Sequence, residues 1–215
     1  MAFAAEAQSV MLTGSEYAEA CKEYPIIFIK TPDAGVMSVA LLGFRQSENL
    51  FVDASGNWSS RYIPAYVRRY PFIISEIGPD QLVVCVDADC TGLNVAGEGE
   101  RLFDEQGEAT PYVNGMIQFM QDYQADFLRT KAFLDNLLQL DLLTESNAKI
   151  ILKSGEEHLI NGIWLIDESK LAALPDDKLL MLARSGELGR IYAHLMSLSN
   201  LNQFSVRETQ RAAAV

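Results

Sequence analysis

The hydrophobic positions of this chain change period near its middle. From Pro25 to Asp87 the apolar residues come in short runs: "PIIFIK" (25–30), "MSVALLGF" (37–44), "NLFVD" (49–53), "FIISEIG" (72–78) and "QLVVCVD" (81–87). The breaks between them include "TPDAG", "ASGN" and "GPD". Apolar runs of that length bounded by Gly, Pro, Asn and Asp predict β-strands joined by turns. Ahead of them, "SEYAEACKEY" predicts a short helix within Gly14–Glu23, with Ser15 as its cap.

At Thr110–Pro111 the pattern becomes helical, because Thr can cap and Pro is tolerated where its missing N–H is not needed. Val113, Met116, Ile117, Met120, Phe127, Leu134, Leu137 and Leu138 then recur at helical spacing to about Leu140, opposite Gln, Asp and Lys. This predicts one long amphipathic helix whose Met/Phe stripe is core. "AKIILKSGEEHLINGIWLID" (148–167) returns to β, with Ser154–Gly155 as a hairpin turn and Asn161–Gly162 as a second turn or a bulge. Pro175, Asp176 and Asp177 open a helix that Ser185–Gly186 stops. A second runs from Glu187 to about Asn200, with Leu188, Ile191, Tyr192, Leu195 and Leu198 on one face. The pattern is α+β: a β-rich N-terminal half, a long central helix, a β-hairpin and a C-terminal helical pair, read as one domain over 1–215.

Charge narrows the function. A formal net charge of −12 excludes general nucleic-acid binding, which needs a surplus of Lys and Arg for the phosphates. No apolar stretch approaches the roughly 20 residues of a membrane-spanning helix. The first residues lack a positive segment and carry Glu6, so export by the general secretory route is not expected. Cys21, Cys85 and Cys90 have neither the number nor the spacing of a disulfide framework or zinc site, which predicts free thiols in a reducing cytoplasm.

Against this acidic background, "NWSSRYIPAYVRRYPFIISEIG" (57–78) concentrates Arg61, Arg68 and Arg69 with Trp58, Tyr62, Tyr66 and Tyr70. Pro64 suits the first turn of a short helix and Pro71 ends it, which predicts about two turns. Ile63, Val67 and Tyr70 share the face expected to pack on the domain, and the arginines look outward. Two readings follow. The arginines pair with the chain's carboxylates while the tyrosines bury their rings, or guanidinium forks and aromatic faces form a site for an anionic ligand or partner. The candidate binding residues are Trp58, Arg61, Tyr62, Tyr66, Arg68 and Arg69.

The segments "WSSRYIPAYVRRYPF", "LFDEQGEATP" (102–111) and "GRIYAHLMSLSNL" (189–201) together resemble the SapC-like family of bacterial proteins, over about Met11 to Phe204. The remaining tail, 205–215, is expected to be frayed. The resemblance implies a surface-layer association or a peptide-transport label, and a gene neighbourhood with flavin-dependent halogenases. It implies no catalytic residues. The absence of an apolar span argues against a permease.

Other constellations are weaker. Asp87 and Asp89 of "VDADC" share a face of an extended chain, which suits either a hard cation or a solvated strand end. "DASGN" (53–57) is a turn, and "GEGERLFDEQGE" (97–108) is too acidic to cradle phosphate. His158 and His194 have no nucleophile elbow to serve. The leading expectation is a non-enzymatic cytoplasmic binding or accessory protein with no cofactor. Its partner would be a protein, peptide or small anionic ligand, and a homodimer fits the same surface. The alternatives are a tailoring enzyme or oxygenase-like partner of a halogenase, with Asp87, Asp89 and a histidine converging on a metal, and a surface-layer component.

Overall fold

The computed structural model describes residues 1–33, 35–78 and 81–213, and its architecture is α+β. The turns predicted at "TPDAG" and "GPD" include Ala34, Pro79 and Asp80, which lie outside the described residues. A five-stranded antiparallel sheet runs in the order β1 (Ser9–Met11), β3 (Gly35–Leu41), β2 (Ile26–Thr31), β7 (Glu157–Ile166), β6 (Leu143–Ile151). The two β segments thus meet across the long helix that divides them in sequence, through Phe28 opposite Trp164 and Ile29 opposite Ile163.

Strand β2 reads as an unbroken apolar run because Ile26, Ile27 and Phe28 are all buried, one side of the strand as well as the other. Strands β6 and β7 form the predicted hairpin. Between the pairs Ser146–Ile163 and Ala148–Ile160, β7 carries Asn161 and Gly162 against one residue of β6. This is the bulge foreseen there, with Gly162 at φ +70° supplying the left-handed backbone. A separate two-stranded ribbon pairs β4 (Phe72–Gly78) with β5 (Gln81–Val86).

The helices are α1 (Tyr17–Ala20), α2 (Ala65–Arg68), α3 (Pro111–Gln139), α4 (Glu168–Ala172), α5 (Asp176–Ser185), α6 (Glu187–Ser197) and α7 (Gln203–Ala213). Helix α3 packs on β3, and α6 on β2 and β7. The long helix has its predicted bounds, but Tyr123, Thr130 and Phe133 join its buried side, whereas Leu138 is exposed. Gly186, at φ +77°, ends α5 as expected. On α6, Ile191 is buried but Tyr192 faces solvent.

Several expectations are corrected. "NLFVD" is not a strand. Leu50, Phe51 and Val52 are buried in succession, the Phe51 N–H donates to Asn49 Oδ1 (2.8 Å), and only a bridge between Val52 and Trp58 remains. Ser15 does not cap α1, since its hydroxyl donates to Asp126 on α3 (2.7 Å). The C-terminal pair is part of a larger helical set, α4 to α7. The tail is helical to Ala213 rather than frayed, because Phe204 is fully buried and the Arg45 guanidinium holds Glu208 at 2.9 Å.

Candidate functional site

The Arg/Tyr segment is built on a buried carboxylate. Pro64 enters α2 with ψ 141°, away from helical geometry, and α2 is a single turn rather than two. Under it lies Glu16, only 5% exposed. Its Oε1 accepts from the Tyr62 hydroxyl (2.8 Å) and the Ala65 N–H (2.7 Å). Its Oε2 accepts from the Thr13 N–H (2.8 Å) and hydroxyl (3.1 Å). Glu16 therefore ties α1 to α2 across 49 residues of sequence. Glu23 adds a second tie, accepting from the Arg61 and Tyr62 N–H groups (3.1–3.2 Å). Burial and the neighbouring Glu16 carboxylate push the Tyr62 hydroxyl pKa well above its ordinary value.

On this base Val67 turns into the core, Arg61 and Arg68 turn out, and Arg69 is half-buried. Arg68 is exposed, its Nε donates to the Ile63 carbonyl (2.9 Å), and its guanidinium lies 5.9 Å from the Tyr62 ring and 5.2 Å from Phe119 on α3. Arg69 lies 4.1 Å from the Tyr66 ring and 5.7 Å from Tyr123. Each guanidinium is thus flanked by one ring of its own segment and one of the long helix. Among the described residues none of Arg61, Arg68 and Arg69 forms an ion pair, although the chain has 29 acidic residues to 17 basic. Among the described residues, then, these arginines do not pair with carboxylates. The part of that reading concerning the tyrosines of the segment holds for Tyr62, whose hydroxyl is bonded to Glu16. On α3, the buried Tyr123 hydroxyl has no hydrogen-bond partner among the described residues.

A family model matches this chain over residues 1–204, under the description SapC. The chain belongs to the SapC family. No curated protein matches it, and no solved structure does.

In this SapC chain the six candidate residues do not form one cluster. Tyr62, Tyr66, Arg68 and Arg69 assemble with Phe119 and Tyr123, and Arg61 stands exposed beside them. Trp58 belongs elsewhere. Its Nε1 donates to the Tyr24 hydroxyl (2.9 Å), its ring stacks 6.4 Å from Phe51, and the Arg207 guanidinium lies 3.8 Å from Phe51. The Tyr24 hydroxyl donates in turn to the Tyr62 carbonyl, so one buried phenol joins the two groups. Burial pushes its pKa up to about 12.

The other two family-like segments are structural. In "LFDEQGEATP", Asp104 Oδ1 accepts from the N–H groups of Gln106 and Glu108 (both 2.9 Å) and the chain turns into α3. Asp53 and Asn94 close the same turn on their own segments. In "GRIYAHLMSLSNL", Ser197 accepts from the Ile26 N–H (2.9 Å), His194 Nε2 from the Ile166 N–H (3.1 Å), and Asn200 donates to the Cys21 carbonyl (2.8 Å). Burial pushes the His194 pKa down to about 4. The Asp89 N–H donates to Asp87 in a local turn (3.0 Å), His158 lies against Phe44, and His194 stacks on Phe28. Among the described residues no group of three or more His, Cys, Asp or Glu is placed to hold a metal, and no helix is long and apolar enough to cross a membrane.

Sequence reasoning missed Glu16, Phe119, Tyr123 and Arg207. Phe119 and Tyr123 carried a signal in their i, i+4 spacing on α3. Glu16 and Arg207 carried none, since each acts across the fold.

Proposed function

We infer that this SapC-family protein is a non-enzymatic binding or accessory protein that recognises an anionic segment of a partner peptide or protein through the α2 face. The observation that supports this most is the state of Arg68 and Arg69. In a chain of net charge −12, both guanidiniums are held over aromatic rings and have no ion pair among the described residues. The ring contacts position each fork while its terminal N–H groups remain to meet a planar anion. A local cationic face on an acidic body also orients an approaching partner. The free thiols Cys21, Cys85 and Cys90 fit action in the cytoplasm.

Native mass spectrometry of protein purified gently from its host tests this reading, with wild type beside Arg61→Ala/Arg68→Ala. The wild type is expected to carry a bound peptide, protein or second copy of the chain that the folded double variant has lost. A wild type with no bound peptide or protein, or the same bound peptide or protein on both, contradicts it.

A further inference from the structure

A groove of about 860 Å³ runs between the 50–59 loop and α7. Leu50, Val52, Ala54 and Val206 give it apolar walls, and Arg207 and Arg211 supply positive charge. That volume is in the range of sites for small organic ligands.

Arg207 is held in an unusual state for this protein. Its guanidinium lies over the Phe51 ring, 3.8 Å from the centroid, and its two terminal nitrogens donate to the hydroxyls of Ser59 and Ser60 (both 3.1 Å). Its Nε–H is buried without a partner. The serines orient the fork but carry no charge, and Arg207 has no ion pair among the described residues. The Glu23 carboxylate attracts it from beyond ion-pair distance, so a half-buried cation whose hydrogen bonds go to neutral hydroxyls can still gain by contact with an anion. Consistent with that, burial pushes the Arg207 pKa below its ordinary value. The wall also contains Asp53, so a doubly charged anion meets more repulsion than a singly charged one.

We propose that this groove binds a small amphiphilic carboxylate, with its apolar body against Leu50, Val52 and Val206 and its carboxylate on Arg207. The residues lining the groove include none of the α2 face; Tyr24 links the two regions, accepting from Trp58 Nε1 and donating to the Tyr62 carbonyl. The site stands or falls separately from the partner reading above.

Isothermal titration with decanoate, kept below its micellar concentration, tests the proposal. Wild type is expected to bind one decanoate saturably and decyltrimethylammonium not at all. Ala54→Glu places a charge at the exposed groove rim and is expected to weaken decanoate by about tenfold or more with an unchanged melting temperature. Arg207→Gln is expected to weaken it at least as much; if α7 loosens in that variant, Ala54→Glu decides. Arg61→Ala/Arg68→Ala is expected to bind decanoate as wild type does. Absence of saturable decanoate binding, equal binding of decyltrimethylammonium, or wild-type affinity in Ala54→Glu overturns the proposal.

Discussion

Arg45 and Arg68 are both arginines laid over aromatic rings, and the chain treats them differently. Arg45 lies 4.5 Å from the Phe44 ring and is neutralised twice, by Glu48 (2.8 Å) and by Glu208 of α7 (2.9 Å). Glu48 also accepts from the Phe44 and Arg45 N–H groups, so a carboxylate is folded around that guanidinium. Arg68, with Arg69 beside it, has rings on two sides and no ion pair among the described residues. Glu16, the buried carboxylate beneath α2, accepts its hydrogen bonds from Tyr62, Ala65 and Thr13 instead. Arg45 is neutralised where it ties α7 to the 44–48 segment. Arg68 is held over rings without an ion partner among the described residues, and that free, exposed charge is what distinguishes its position.

The comparison predicts where stability resides. Glu16→Ala should have the largest effect, because it leaves the Tyr62 hydroxyl and the Ala65 and Thr13 N–H groups without a buried acceptor. A loss of about 4 kcal/mol in urea unfolding is expected, together with loosening of α2. A small loss would mean that the α2 face is not built on Glu16.

Acid comes next and limits the pH at which such comparisons can be made. The folded His194 pKa, about 4, lies below its ordinary 6.5. Its contribution is fully present above 6.5 and is lost as pH falls toward 4. The loss by pH 4 should be about 3 kcal/mol. His194→Gln, which keeps an acceptor for the Ile166 N–H without titrating, should flatten that part of the pH profile. An unchanged slope in the variant would assign the acid sensitivity elsewhere.

Much of the frame was legible in local signals. Pro25 to Lys30, Pro111 at the start of α3, Gly186 and the Asn161–Gly162 bulge each acted as the backbone chemistry of those residues dictates, whereas the Thr110 hydroxyl donates to the Arg101 carbonyl (2.6 Å) instead of capping α3. Pro64 and Pro71 bracketed the exposed α2 segment, and its outward Arg68 was foreseen from helical spacing. What stayed hidden depended on distant pairs. "NLFVD" has the composition of a strand, but only the fold reveals that no strand lies beside it. "SVRETQRAAAV" reads as a polar tail until Phe51, Ser59 and Glu208's partner Arg45 are known to surround it. The candidate site was legible as a composition and not as a cluster. Nothing in the spacing of Trp58 says that it faces Tyr24 and Phe51 while Tyr62, four residues later, faces Glu16.

The most direct measurement is urea unfolding of Arg45→Ala and Arg61→Ala/Arg68→Ala side by side at pH 7.5. Arg45→Ala removes the partner of a buried Glu48 and loosens α7, so a loss of about 2 kcal/mol is expected. The double variant removes two exposed arginines without ion partners, so about 1 kcal/mol or less is expected, mostly from the lost ring contacts. That outcome leaves the α2 arginines free for recognition. A double variant that loses as much stability as Arg45→Ala would show that those arginines hold the fold together, and would contradict the distinction between the two regions.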